Sequence, residues 1–228
     1  MSGARPLHIA IDGPAAGGKS TVGRRLAQRL HLRYFDTGAM YRALAYLALR
    51  KEISPSNVAA LREQIAHVRV DLDSDAPLGF RVFADGVELD EAMLHSPDVT
   101  SIVSTIAAHA GVREVMVAAQ RAVADDHGMV MAGRDIGTVV LPSAPVKIFL
   151  TASVEARVER RRAQLEHAGV TAHHLAHEIE RRDRLDRGRA VAPLVPAPDA
   201  HVVDSSAMTP AQVVDAIVEI AERAEPRG

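Results

Sequence analysis

The residues best suited to chemistry in this chain are one lysine and one serine set in a run of small residues. The run is Gly13-Pro14-Ala15-Ala16-Gly17-Gly18-Lys19-Ser20, a G-x-x-x-x-G-K-S spacing. In such a loop, successive backbone N–H groups can face phosphate oxygens, because small side chains leave the backbone approachable. The lysine would reach the outer phosphates and the serine hydroxyl would ligate a Mg²⁺ that accompanies them. The pattern is also flanked as a phosphate cradle requires. Leu7-His8-Ile9-Ala10-Ile11 reads as a buried strand, and Val22, Leu26, Ala27 and Leu30 recur at helical spacing after it. Strand, loop and helix together add the positive end of a helix dipole to the site. Of 27 basic residues only Lys19, Lys51 and Lys147 are lysines, which singles out Lys19 further.

Other charged groups follow strands in the same way. Arg33-Tyr34-Phe35-Asp36 reads as a short strand, and a helix opens at Thr37-Gly38 that carries Arg42 one turn in. Met129-Val130-Met131-Ala132 is an apolar strand ending in Gly133-Arg134-Asp135. Asp135 has three readings: a carboxylate of the Mg²⁺ shell, an acceptor for an exocyclic amine, or a turn cap. Arg134 beside it is placed to clamp a second phosphate bidentately, which favours substrate recognition. Arg182, Asp186 and Arg189 share one helical face, but the helix is charged all round and its plain reading is a solvated, salt-bridged surface. Arg157, Arg160, Arg161 and Arg162 form a similar cluster. Arginine-rich helices between two core strands would suit a lid over transferring phosphate.

The elements that must position these groups alternate strand with helix, which implies a three-layer α/β fold around a parallel sheet. Further core strands are expected at Val146–Leu150 and His201–Asp204, with helices at about 39–50, 111–126, 172–187 and from Thr209-Pro210 onward. Ser54-Pro55 is expected to cap a helix running to about His67, Gly169 to sit in a loop, and Ala190–Pro196 to run extended. Between 67 and about 107 the texture changes to period-two alternation, with Asp85-Gly86 as a hairpin signal. That stretch reads as an inserted antiparallel subdomain. Ligands in such folds gather at the carboxyl ends of the strands. The glycine loop, Asp36 and Asp135 should therefore open into one cleft.

The 228 residues are 47% apolar and 25% charged with a net charge of −2, the profile of an ordinary globular enzyme. A balanced charge without an aromatic platform argues against nucleic acid, and no 18-residue apolar run argues for a membrane. With no signal peptide apparent either, a cytoplasmic location is expected. There are no cysteines, so thiolate metal sites are excluded. A GTPase would need a guanine reader of the Asn-Lys-x-Asp kind, yet no lysine is followed two places later by aspartate. A kinase for another small acceptor, or a nucleotide-binding module without turnover, are the remaining rivals.

Several segments together resemble the bacterial cytidylate kinases, within the nucleoside monophosphate kinase superfamily. They are Gly13–Ser20 after Ile11-Asp12, Asp36-Thr37-Gly38-Ala39-Met40-Tyr41-Arg42, Gly133–Val140, Arg182-Asp183-Arg184 and Asp186–Leu194. The resemblance covers essentially the whole chain. It implies a five-stranded P-loop NTPase core over 1–66 and 108–228, a lid near 157–187, and a monophosphate-binding insert over 67–107. By matching positions, Gly13, Pro14, Ala15, Ala16, Gly17, Gly18, Lys19, Ser20 and Thr21 would hold ATP. Arg42, Arg134 and Arg189 would hold the acceptor phosphate, and Asp36 would lie in the same substrate site. Ser104, Arg113 and Asp135 would read the cytosine edge, while Arg182 and Asp186 would contact the sugar. Arg157 and Arg161 would approach the triphosphate. The implied reaction is γ-phosphoryl transfer from ATP to CMP or dCMP with Mg²⁺, by a monomer. One departure is Ala16, where the family more usually has glycine.

Overall fold

The computed structural model describes residues 6–124, 128–164 and 171–224. In chain order the elements are β1 (His8–Asp12), α1 (Lys19–Leu30), β2 (Arg33–Asp36), α2 (Gly38–Arg50) and α3 (Val58–Gln64). Next come β3 (Val68–Leu72), β4 (Phe80–Ala84), β5 (Val87–Glu88), α4 (Glu91–Leu94), α5 (Pro97–Ala108) and α6 (Ala110–Ala124). The chain continues with β6 (Met129–Gly133), β7 (Val146–Thr151), α7 (Val154–Gln164), α8 (Ala172–Arg187), β8 (His201–Asp204) and α9 (Pro210–Ala224). The expected loop at Gly169 and the end of the helix at Asp126 lie outside the described residues.

A five-stranded parallel sheet, ordered β2-β6-β1-β7-β8, forms the centre. Its middle strands are buried on both faces, which is why Ile9, Ile11, Met129, Val130, Met131 and Ile148 read as unbroken apolar runs. Helices α1 and α9 pack on each other, and α2 packs on α3, α5 and β4. Each fully buried side chain such as Leu26, Phe35 or Leu44 contributes about 1.5–3 kcal/mol by leaving water.

Register decides where the chemistry falls. Asp36 lies beside Ala132, and Asp12 lies beside both Gly133 and Phe149. Adjacent strands β2, β6 and β1 therefore end within one residue of each other, and the segments that follow them emerge side by side. The second sheet, β3-β4-β5, is antiparallel. Its hairpin turns at Asp85 and Gly86, with φ of 48° and 78°, the doubly left-handed turn that Asp-Gly favours. Phe80 anchors this sheet on the core, meeting Phe35 edge-on at 5.2 Å between ring centres.

Three local expectations change. The helix foreseen at Ser54-Pro55 begins only at Val58: Ser54 to Asn57 closes a turn, and the Asn57 side chain accepts from Ala60 N at 3.2 Å. Proline suits the second position of such a turn, and asparagine is a strong cap. Ala190–Pro196 is not a continuous extended run, because Ala192 takes φ of 53° and Leu194 N bonds back to Asp186 O at 2.9 Å. The helix α5 was not foreseen, although Ser96-Pro97 marks it, with Ser96 as cap and proline in its first turn. Asn57→Ala should lower stability by about 1 kcal/mol, against under about 0.5 kcal/mol for Ser54→Ala. Urea melts of the two variants check the reassigned cap.

Candidate active site

The loop after β1 needs glycine for steric reasons. Gly13 has φ of 152°, and a Cβ there would lie 2.0 Å from Leu150 O on the neighbouring strand. Gly18 has φ of 89° where the loop turns into α1. Lys19 is buried, and its Nζ donates to Pro14 O at 2.7 Å across the loop. Burial, reinforced by the Arg134 charge, pushes its pKa well below the usual lysine value. An anion in the loop would relieve both effects.

A cleft of about 920 Å³ opens above these strand ends. Ala15 to Thr21, Asp36, Arg42, Ser104, Arg113, Arg134, Asp135, Arg161, Arg182, Asp186 and Arg189 all line it, so nearly all the expected site residues converge there. At its loop end, the Ser20 hydroxyl donates to Asp36 Oδ2 at 2.7 Å, and Asp36 Oδ1 accepts from Gly38 N at 2.9 Å. These hard oxygen donors, in a cleft otherwise rich in cations, suit a divalent metal brought in with phosphates.

Across the cleft, Arg113 and Asp135 form a buried ion pair, with Arg113 Nη1 also donating to Ala107 O at 3.3 Å. Ser104 is buried in the same wall. The helices α5 and α6 deliver Ser104 and Arg113, while the end of β6 delivers Asp135. Between the two ends, Asp186 on α8 accepts from Arg134 Nε at 2.8 Å and from Arg189. Burial would raise the Asp186 pKa, but Arg134 and Arg189 outweigh it and hold the carboxyl ionised. Arg42 on α2 donates to Leu94 O at 3.0 Å and Thr100 Oγ1 at 3.1 Å. Burial and then the charge of Arg182 depress its pKa to about 9. The surface-helix reading of Arg182, Asp186 and Arg189 therefore gives way: α8 ends at Arg187, so Arg189 lies just beyond the helix, and all three residues line the cleft.

Arg157 departs from its expected place at the triphosphate. Its guanidinium is buried away from the cleft lining, bonded to Asp183 Oδ2 at 2.5 Å, Ala15 O at 3.2 Å and Ala152 O at 3.2 Å. Spacing on α7 could not reveal that a buried carboxylate from α8 would meet it. Arg160 lines the cleft instead, bonded to Ser205 Oγ at 3.0 Å and Ser205 O at 2.5 Å.

Sequence reasoning also passed over Asp12, whose only signal was its place directly before Gly13. Its two oxygens accept from Ile136 N at 2.7 Å and Gly137 N at 2.8 Å, which fixes the π-helical turn Ile136–Val140. The turn that follows Arg134 and Asp135 is thereby tied to the strand that leads into the phosphate loop.

A phosphate loop on a parallel sheet, facing a wall of arginines, defines a P-loop kinase architecture. A cytidylate kinase family model matches residues 9–223, and the chain belongs to the cytidylate kinase family. It is 50% identical over 213 residues to the cytidylate kinase of Pelotomaculum thermopropionicum, covering 92% of this chain and 94% of that one. It is 47% identical over 224 residues to the bifunctional pantoate ligase/cytidylate kinase of a Synechococcus strain, covering 96% of this chain but 41% of that longer protein. Among solved structures, an uncharacterized protein from Eubacterium ventriosum superposes with a TM-score of 0.51 at 12% identity, over 96% of this chain and 99% of that one. That likeness is one of fold alone.

Burial raises the Asp12 pKa to about 6, against the lowering effect of its two backbone bonds. An acid raised in this way binds protons more tightly folded than unfolded, between the ordinary value near 4 and about 6. Its contribution to stability therefore diminishes as pH rises through that window. Carbon-detected NMR titration should find one aspartate carboxyl with a midpoint near 6, and Asp12→Asn should remove that signal.

Proposed function

We infer that this protein transfers the γ-phosphoryl group of ATP to CMP and dCMP, yielding ADP with CDP or dCDP. The observation that carries the reading is one cleft with a phosphate loop at one end and the buried Arg113–Asp135 pair at the other. Family membership supports the same reaction.

The residues divide the work as follows. Backbone N–H groups of Ala15 to Thr21 and the Lys19 ammonium hold the triphosphate. Arg42, Arg134 and Arg189 hold the acceptor phosphate, whose oxygen attacks the γ-phosphorus in line as ADP leaves. Arg161 and Arg182 neutralise charge as it spreads over the transferring group. Ser20, with Asp36 behind it, is the site for a divalent metal, for which Mg²⁺ is the natural choice. When bound, the metal screens the phosphate oxygens and orients them. Asp186 and Arg182 meet the sugar.

Base selection follows from acceptor chemistry. The Asp135 carboxylate accepts from the exocyclic amine of cytosine, while Arg113 and Ser104 complete the base edge. Uracil presents a carbonyl there, and two buried acceptors face to face cost on the order of 1–3 kcal/mol. The partition follows the same logic: 1–66 and 108–228 form the core, 67–107 the acceptor insert, and 157–187 the lid. We further propose a cytoplasmic monomer. No single helix among the described residues is long and apolar enough to cross a membrane.

ADP release should be measured with Mg-ATP against CMP, dCMP, UMP, AMP, GMP, dTMP and shikimate. Turnover confined largely to CMP and dCMP is expected. Preference for another acceptor would overturn the base-reading roles of Ser104, Arg113 and Asp135.

Two variants refine the test. Lys19→Ala should lower kcat by about 10²–10³-fold while the melting curve stays near wild type, and near-normal turnover would remove its phosphate role. Asp135→Asn should cut CMP turnover and narrow the CMP-to-UMP preference. It should also destabilise the fold, because Arg113 loses its buried counter-charge.

A further inference from the structure

Ala15 and Ala16 lie inside the phosphate loop, yet both are engaged by the lid helices as well. Asp183 on α8 is buried, and its two oxygens do different work. Oδ1 accepts from Ala15 N at 3.2 Å, and Oδ2 accepts from Arg157 Nη1 at 2.5 Å. The same Arg157 nitrogen donates to Ala15 O at 3.2 Å. One loop residue, Ala15, is thus gripped at both its N–H and its C=O by a single ion pair spanning α7 and α8.

The neighbouring residue supplies an independent contact. Val158, Leu175 and Ile179 form a small apolar cluster between α7 and α8, separate from the main core, and Ala16 packs against it. Ala16 takes φ of 55°, a conformation that costs alanine about 1–2 kcal/mol and glycine little. A methyl group held in a left-handed conformation against a lid cluster has a use beyond filling the loop.

We propose that Asp183 and Ala16 are positioning residues that latch the lid to the phosphate loop, so that loop geometry sets where the lid arginines stand. The inference rests on the phosphoryl-transfer reading and deepens it. Arg157 acts inside the latch, whereas Arg161 on α7 and Arg182 on α8 face the cleft from the same two helices. Misplacing that pair by about 1 Å would cost up to 10²-fold in transfer. It would also admit water, which can replace the CMP phosphate oxygen as nucleophile and give ADP and inorganic phosphate.

The test compares wild type, Ala16→Gly and Asp183→Asn with Mg-ATP, with and without CMP. The readouts are kcat and KM for both substrates, the ratio of ADP to CDP formed, and the melting temperature. For Asp183→Asn the expected result is a 10–100-fold fall in kcat, roughly, with the KM for CMP changed by less than about threefold. ADP should then exceed CDP. Ala16→Gly relieves backbone strain and should stay folded, so it keeps the test decisive if Asp183→Asn unfolds. It should shift the product ratio in the same direction by a smaller factor.

A product ratio unchanged in Ala16→Gly, with kcat tracking only the folded fraction in Asp183→Asn, would overturn the latch. Wild type that makes CDP while both variants behave like it defeats the latch alone. Wild type that makes no CDP defeats the phosphorylation reading and the latch with it.

Discussion

Positive charge is what this fold concentrates, and its self-repulsion is the constraint the rest must meet. Lys19, Arg42, Arg134, Arg161, Arg182 and Arg189 share one cleft. Two like charges 4 Å apart repel by about 4 kcal/mol at an effective dielectric constant of 20. The strain shows in the residues themselves: burial and then Arg182 push Arg42 down to about 9, and burial and then Arg134 push Arg182 down to about 10. Carboxylates act as spacers against this. Asp186 sits between Arg134 and Arg189, and Asp135 meets Arg113. The charge left over is positive, complementary to the phosphates of two nucleotides.

The parallel sheet makes that concentration possible. Strands buried on both faces leave no polar side chain in mid-strand except Lys147, which reaches out to Asp199 at 2.7 Å. The charges that face the cleft thereby gather at the carboxyl edge, where register brings Asp36 within one residue of the paired Asp12 and Gly133. An apolar wall beneath them lowers the local dielectric and strengthens every interaction with a phosphate. Asp12 completes the edge by bonding the turn after Asp135 to the strand before Gly13. The phosphate loop and the segment carrying Arg134 and Asp135 are therefore joined in one floor.

What could be read beforehand depended on whether the cause was local. Strand β1, the loop and α1 announce themselves because the apolar run, the glycines and the helical period are contiguous. Asp85-Gly86 did so too, since its left-handed turn is a property of two residues. The start of α3 was misplaced because Ser54-Pro55 and Asn57 both carry cap chemistry, and a turn consumed the first. Arg157 and Asp183 were illegible for a different reason: 26 positions separate them in the numbering, and only packing of α7 on α8 makes them partners. The inward placement of Arg182, Asp186 and Arg189 was equally hidden in a segment charged all round. There the family resemblance supplied what periodicity could not.

The ion pairs of the site also explain why a kinase can hold so many arginines ready. A free buried guanidinium would adopt whichever rotamer found an acceptor, and substrate would have to reorder it. Asp186 removes that freedom by fixing the forks of Arg134 and Arg189 from a single carboxylate, itself held ionised by both. The ordering entropy is met during folding, when the main core supplies the driving force, and not at each turnover. A phosphate entering beside Asp186 would meet donors already oriented, the electrostatic preorganisation on which phosphoryl transfer depends. Helix α5 packs on α8, so the wall carrying Ser104 and the helix carrying Asp186 are set by a shared contact. The two walls of the cleft are then fixed relative to each other by one piece of packing.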